Sequence, residues 1–411
     1  MPTYFSAEFF QQNRANLRAA CSDTSLIVVT ANGLLQRTAD SAYSYAQDSS
    51  FWYLTGIEQP DTLLVMDGDA EYLVVPDLSA YQSLFDGVTD TAELRNQSGV
   101  KQVLGYKDGW QRLAAAVQKV GTVGTPQAMP PYVEVYGMFT NPARQALAQK
   151  LREQSDAVRL IDIRPELAHM RCRKQPVELR ALQAAIDITV DGINHVTRHL
   201  QGYGHEYEIE AELSKAFRQD GANGHAFTPI VASGPRACVL HNVGNNAALG
   251  KNELIIIDVG AEVSHFAADI SRTLAYGQPT PRQHAVYEAV LAVQNYALKL
   301  LKPGVHLKDY EKQVETYLGQ QLVELKLITK KQAKEPTNVR RYFPHATSHF
   351  LGLDVHDVGD MGDALEPSMV VTCEPGIYIS EEGIGVRIEE DVLITKTGNK
   401  VLTAALPRML K

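Results

Sequence analysis

Four stretches of this chain place acidic side chains inside apolar, strand-forming sequence. Asp258 closes the run Leu254–Ile257, and Asp269 follows within the strand-like segment Phe266–Leu274. Glu374 ends the apolar part of VVTCEPGIYI, just before a Pro-Gly turn signal, and Glu389, Glu390 and Asp391 stand in the middle of GVRIEEDVLIT. Carboxylates are disfavoured in strands by propensity, and burying one without a partner costs free energy. A bound cation would supply the compensation, and local violations of this kind are expected at functional sites.

For the first pair, Gly260 and the polar residues after it can form the connection of a hairpin. Two antiparallel strands joined this way can bring Asp258 and Asp269 onto one face. Taken singly, each has a plainer explanation: Asp258 as a turn cap, Asp269 as the partner of Arg272. In the last segment, alternation puts Arg387, Glu389 and Asp391 on one face and Ile388, Glu390 and Val392 on the other. It does not choose between Glu389 and Glu390 as a ligand. HATSHFLGLDVHD adds His345, His349 and His356, but position 346 is Ala, so this is not the H-E-x-x-H of zinc proteases. Oxygen-rich ligation with a single imidazole suits two hard divalent ions, Mn²⁺ ahead of Zn²⁺ on ligand softness. Two ions about 3.5–4 Å apart need shared carboxylates and can hold a bridging hydroxide. Spacing alone leaves a di-metal hydrolase and a merely structural cluster both open.

Composition excludes more than it assigns. At roughly 150 residues per domain, 411 residues predict two or three domains. A net charge of −9 argues against binding a phosphate backbone, so nucleic acid is not expected as a partner. No stretch reaches the roughly 18 apolar residues of a membrane span, and the N-terminus lacks the basic-then-apolar order of a secretory signal. Cys21, Cys172, Cys238 and Cys373 are far apart with no C-x-x-C, as buried single thiols in a reducing compartment would be. A cytoplasmic protein is expected.

All twelve histidines lie between His169 and His356. Residues 1–165 read as an α/β domain, with strands at Ser25–Thr30, Asp61–Met66 and Tyr72–Val75 and helices at Trp110–Val120 and Asn141–Gln154. Residues 166–411 form the second domain. It opens near Pro176 with a long helix whose apolar stripe carries Leu179, Leu182, Ala185, Ile186, Thr189 and Ile193. Helices are expected at Glu206–Arg218, Arg282–Leu301 and Lys308–Leu327, and strands at Leu254–Asp258, Phe266–Leu274, Ser368–Ile379 and Gly385–Thr395. The basic stretch Ile328–Arg341 reads as a solvated loop.

From Arg171 to the C-terminus, the ordered set DVGAEVSHFAADISRT, HATSHFLGLDVHD, CEPGIYI and VRIEED resembles the pita-bread metallopeptidases: methionine aminopeptidase, aminopeptidase P and prolidase. The resemblance implies an α+β pita-bread catalytic domain in which Asp258, Asp269, His349, Glu374 and Glu389 bind two divalent metal ions. Mn is the first choice, with Zn, Co and Mg as alternatives. Glu389 is preferred to Glu390 by the family's R-I-E pattern. The same pattern implies that His241, His345 and His356 are accessory site histidines, and that Arg387 orients Glu389. Glu374 is implied as the group that takes the attacking water's proton.

AYSYAQDSSFWYLTGIEQPDTLLVM (Ala42–Met66) is similar to the N-terminal domain of aminopeptidase P, which plain methionine aminopeptidases lack. Creatinases share the two-domain layout without keeping the metal ligands. The activity implied is release of the N-terminal residue from peptides with proline second, with Xaa-Pro dipeptidase as the rival and a non-catalytic binding protein as a more distant one. A homodimer or homotetramer is implied by the family. The chain departs from many relatives at His265 and Phe266, where Gly-Tyr is frequent, and at Ala346, where Gly is common.

Overall fold

A computed structural model describes residues 4–127, 137–155 and 157–410. The chain divides into two units, Pro2–Met170 and Arg171–Lys411. In the first, the short β-branched runs form the strands of one mixed sheet. They are β1 (Leu26–Thr30), β4 (Leu63–Asp67), β5 (Ala70–Val75), β6 (Gln102–Gly105), β7 (Thr122–Thr125) and β8 (Arg159–Asp162); β2 (Gln36–Thr38) and β3 (Ser41–Ala42) make a separate exposed hairpin. The sheet order is β6-β5-β4-β1-β7-β8. β1 and β4 pair antiparallel, as do β4 and β5, and the remaining pairs are parallel. Leu113 and Val117 of the helix Tyr106–Val117 join Leu147 and Leu151 of the helix Ala143–Gln154 in a core with Val28, Val65 and Val74.

Within Ala42–Met66, the stretch DSSFWYLTG (Asp48–Gly56) has a local explanation. Asp48 caps the helix Ser49–Thr55 by accepting hydrogen bonds from the Ser50 and Phe51 N–H groups. Gly56 ends it in the left-handed conformation at φ 70°, which an L side chain resists. Between the two caps, Phe51, Trp52, Tyr53 and Leu54 are all buried.

The second unit is α+β. Gln175 and Glu178 form a capping box at the start of the helix Pro176–His199, with Pro176 in its first turn. The buried stripe matches the expected one at Leu182, Ala185, Ile186, Thr189 and Ile193, whereas Leu179 is half-buried and Glu178 is buried. The helices Pro281–Leu300 and Leu307–Glu324 supply Val286, Val290, Val293, Tyr310, Val314 and Leu318 to one core. Each such side chain contributes about 1.5–3 kcal/mol when fully buried.

Strands β9 (Gly224–His225), β12 (Ala261–Val263) and β13 (Phe266–Ala267) form one small sheet, and β10 (Ile230–Ser233), β11 (Glu253–Val259) and β14 (Ile270–Tyr276) another. A third holds β15 (Val370–Cys373), β18 (Glu390–Ile394) and β19 (Asn399–Val401), while β16 (Gly376–Ile379) pairs with β17 (Ile384–Arg387). Every pair in this unit is antiparallel.

The strands differ from expectation in a consistent way. Asp269 lies in a gap before β14, Glu374 in the gap between β15 and β16, and Glu389 in the gap between β17 and β18. The uninterrupted strands expected at Phe266–Leu274, Ser368–Ile379 and Gly385–Thr395 are therefore broken at each of these acids. At a break the side chain is freed from the strict alternation of the strand, although Asp269 and Glu389 both remain buried. The simple hairpin between Asp258 and Asp269 is likewise corrected: β12 and β13 intervene, although β11 and β14 do pair antiparallel. Ile328–Arg341 is not a loop throughout, since Gln332–Lys334 and Pro336–Arg340 are short helical turns anchored by the buried Val339. Among the described residues, no helix is long and apolar enough to cross a membrane.

Candidate active site

Asp258 is the penultimate residue of β11, and the register pairs Val259 with Ile270, which brings Asp269 beside it at the start of β14. Glu389 is fixed to the same strand: its N–H donates to Ser271 O (3.1 Å), and its Oε2 accepts from Ser271 Oγ (2.9 Å). His349 and Glu374 arrive together. The Thr372 N–H donates to His349 O (2.9 Å), and the Glu374 N–H donates to Thr347 O (2.8 Å). His349 Nε2 lies 3.4 Å from both Asp269 Oδ2 and Glu374 Oε1. Ligand atoms of Asp269, His349 and Glu389 all fall within 4.8 Å of one another, a spacing that could hold a metal ion.

The tautomers follow from the hydrogen bonds. His349 Nδ1 is 2.9 Å from Phe350 O, and a carbonyl can only accept, so the proton is on Nδ1. Nε2 is the ring nitrogen that faces the two carboxylates. His345 is arranged the same way. Its Nδ1 donates to Ala346 O (2.9 Å), and its Nε2 accepts from the Tyr378 hydroxyl (2.8 Å), which itself accepts from Arg387 Nη1 (2.9 Å). The His356 ring meets the His349 ring edge-on at 4.3 Å. His241 is exposed and lies near enough to interact electrostatically with both His345 and His356.

The electrostatics are those of an anionic pocket. Burial raises the Asp269 carboxyl well above its ordinary range, with Asp258, Glu374 and Asp391 adding to the effect. Glu389 is raised in the same way by burial and then by Asp269, Glu374 and Asp258. Glu374 is pushed up to about 7, first by burial, with His349 and Arg387 opposing. His345 is held down to about 3 by burial and the Arg387 charge, and is neutral at ordinary pH. His356 is also drawn below the usual imidazole range by burial of its packed face, although part of the residue remains exposed.

The sequence of metallopeptidase family M24 matches residues 180–396, and the N-terminal domain of aminopeptidase P matches residues 10–123. Xaa-Pro aminopeptidase of Escherichia coli is 33% identical over 98% of this chain and 95% of its own length. Xaa-Pro aminopeptidase 3 of Rattus norvegicus is 30% identical over 93% of this chain and 78% of its own length. The chain belongs to metallopeptidase family M24. A solved structure of aminopeptidase P from E. coli superimposes with a TM-score of 0.86 at 31% identity, covering 99% of this chain and 96% of that one. This M24 member is thus a metallo-exopeptidase, a hydrolase whose family uses divalent metals, and the pita-bread expectation for its fold holds.

Arg387 contacts both Asp258 and Ser271. Its Nη2 donates to Asp258 Oδ2 (2.5 Å) and its Nε to Ser271 Oγ (2.8 Å), and that hydroxyl in turn donates to Glu389. The plainer readings of the aspartates do not hold. Asp258 is paired with Arg387, and Arg272 bonds Glu390 Oε1 (2.8 Å) rather than Asp269. Glu390 is also bonded by Thr403 and so faces away from the cluster, while Asp391 accepts the Asp269 N–H (3.2 Å).

Several residues of the M24 site escaped sequence reasoning. Glu311 accepts the Thr347 and Ser348 N–H groups at 2.9–3.1 Å and so fixes the turn before His349. Gln294, buried in mid-helix, donates to Ile388 O (2.7 Å) and Cys373 O (3.4 Å), the residues preceding Glu389 and Glu374. A polar side chain inside an apolar helical stripe was the available signal for Gln294. At His265 the backbone is left-handed (φ 67°), which accounts for the frequent Gly there. Phe266 is fully buried, where a phenol would need a hydrogen-bond partner.

Proposed function

We propose that this chain is an Xaa-Pro aminopeptidase, with two divalent metal ions held by Asp258, Asp269, His349, Glu374 and Glu389. The observation that carries the metal assignment is the unbalanced charge of the pocket. Asp258 Oδ1 is buried with no hydrogen-bond partner, Asp269, Glu374 and Glu389 are each raised by burial and then by neighbouring acids, and His349 Nε2 faces carboxylate oxygen. Such an arrangement is expensive unless cations lie among these atoms. Four carboxylates to one imidazole favour Mn²⁺, with Zn²⁺, Co²⁺ and Mg²⁺ as alternatives. One solved relative is a Zn-substituted E. coli aminopeptidase P with product.

When bound, the two ions supply Lewis acidity, lowering the pKa of water and polarising the scissile carbonyl. The chain's own groups do the rest. Glu374 takes the attacking water's proton and passes it toward the departing proline nitrogen. His241, His356 or both stabilise developing charge on the substrate, while His345, a neutral imidazole with both ring nitrogens engaged, holds the Tyr378 hydroxyl beside Arg387. Arg387 holds Asp258 directly and Glu389 through Ser271, acting by orientation rather than by contact with substrate. A prolyl nitrogen carries no hydrogen in the intact peptide, so selection for proline rests on shape and apolar contact, about 1–3 kcal/mol per methylene-sized difference.

The names of the relatives favour the aminopeptidase over the Xaa-Pro dipeptidase, which must also hold a free C-terminal carboxylate. A cytoplasmic location and a homodimer or homotetramer complete the reading. The test is hydrolysis of an Xaa-Pro-Yaa tripeptide beside the matching Xaa-Pro dipeptide, using chelator-treated protein with and without Mn²⁺. Metal-dependent preference for the tripeptide is expected. Preference for the dipeptide would move the assignment to prolidase, and no cleavage of either despite bound metal would favour a binding role.

A further inference from the structure

His241 lies in the loop between β10 and β11, flanked by the exposed Val239 and Val243. An exposed loop imidazole has no intrinsic reason to keep one position, yet the neck of this loop is closed by one buried carboxylate. Glu206, the first residue of the helix Glu206–Gln219, is 0% exposed. Its Oε1 accepts hydrogen bonds from the Ser233 N–H (2.9 Å), Ser233 Oγ (3.0 Å) and Arg236 Nε (2.9 Å), and its Oε2 accepts from the Ala247 N–H (3.0 Å). Ser233 and Ala247 stand on either side of His241, so a single side chain spans the base of the loop.

Two further contacts brace the neck. Glu210, one helical turn on, accepts the Asn245 side-chain N–H (2.8 Å), and Asn245 Oδ1 accepts the Val231 N–H (2.9 Å). On the other side, the turn Gly234–Cys238 packs against β17 so closely that a Cβ at Gly385 would lie 2.2 Å from Ala237 O. Gly385 is two residues from Arg387, which ties the loop to the strand that orients Asp258.

Every group facing Glu206 is a donor, so an acceptor-only carboxylate fits and an amide does not. We propose that Glu206 is a positioning residue that holds His241 at the catalytic centre through Ser233, Arg236 and Ala247. The inference rests on the reading of His241 as a group that meets substrate.

The test is a double-substitution cycle in the metal-loaded enzyme, combining Glu206→Gln with His241→Ala and reading kcat/KM on an Xaa-Pro-Yaa tripeptide. Glu206→Gln is expected to lower kcat/KM by about tenfold or more, as small misplacements of a catalytic group do. On the His241→Ala background it should cost less than about twofold, because the two changes remove one interaction. Losses that multiply, or a Glu206→Gln enzyme at wild-type rate, would overturn the proposal. Ser233→Ala removes the hydroxyl that donates to Glu206 and accepts from Arg236 Nη2 (2.7 Å), and it should show the same non-additivity with a smaller loss and a melting temperature lowered by no more than about 4 °C. Amide hydrogen exchange provides a readout independent of turnover. Exchange over 233–247 should quicken in Glu206→Gln while protection over 345–356 is kept, and unchanged protection over 233–247 would reject the proposal. A wild-type enzyme inactive on the tripeptide would count against the peptidase reading, and the exchange result would still decide the positioning role.

Discussion

Arg387 and Asp258 are joined through a 2.5 Å hydrogen bond between residues 129 positions apart, and both are buried. The same guanidinium bonds Ser271 and Tyr378, so one rigid fork orients a carboxylate, a hydroxyl and a phenol together. Burial of this cation is outweighed by Tyr378, Asp258 and Glu389, which hold its pKa well above the usual value.

Replacing Arg387 with Ala is expected to destabilise the metal-free protein by about 3–5 kcal/mol, the cost of leaving a buried partner uncompensated. Arg387→Lys keeps the charge but not the fork, so it should fold and lose most activity. Urea denaturation of both variants, alongside tripeptide turnover, separates the two effects.

The pH dependence of the metal-free protein has a definite sign. Glu374 is raised from 4.5 to about 7 in the fold, so its contribution to stability is fully present below pH 4.5 and is lost as pH rises through about 7. Asp269 and Glu389, raised further, act in the same direction. His345 and His356 are lowered from 6.5, so they oppose this below pH 6.5, where unfolding gains protons. Above pH 6.5 only the carboxylates remain, and metal-free stability should fall. Mn²⁺ competes with these protons, so its stabilising shift in melting temperature should be larger at pH 8 than at pH 6.

Asp357, directly after His356, is buried between Arg171 (2.5 Å) and Lys174 (3.0 Å). Its carboxyl stays below the ordinary value despite burial, because those two cations outweigh the desolvation. Asp357→Asn should cost about 3–5 kcal/mol by stranding both cations. It should also lower kcat/KM by displacing His356; chemical denaturation and steady-state kinetics check the two parts.

Gly385→Ala should be among the costlier single-methyl additions. The new Cβ would meet the Ala237 carbonyl, so the backbone itself must move, at about 1–3 kcal/mol. Because β17 and the His241 loop separate together, tripeptide turnover should fall with the melting temperature.

The chemistry of the site was legible in local sequence. Acids within apolar runs, and three histidines within twelve residues, announced a charged pocket before any fold was known. The motif Asp48–Gly56 likewise carried its own caps and could be read as a unit. Less legible were the supports. Gln294, Glu311, Ser271 and Tyr378 serve residues tens to more than a hundred positions away, and nothing in their own neighbourhoods reports those partners. The expected continuous strands failed for a related reason: period-two alternation does not register a ladder ending at Ala268–Asp269 or Ile388–Glu389.

Sequence by itself determined which side chains are candidates for the site, because propensity and desolvation cost act on each residue where it stands. It also determined the helices of the second unit, whose caps and apolar stripes are local. Tertiary structure alone decided which acid each cation serves. Arg272 stands three residues from Asp269 yet bonds Glu390, while Arg387 crosses to Asp258. That choice is fixed by the register of β11 on β14 and by the breaks that turn Asp269 and Glu389 out of their sheets. Register is a property of paired strands, and no single strand contains it.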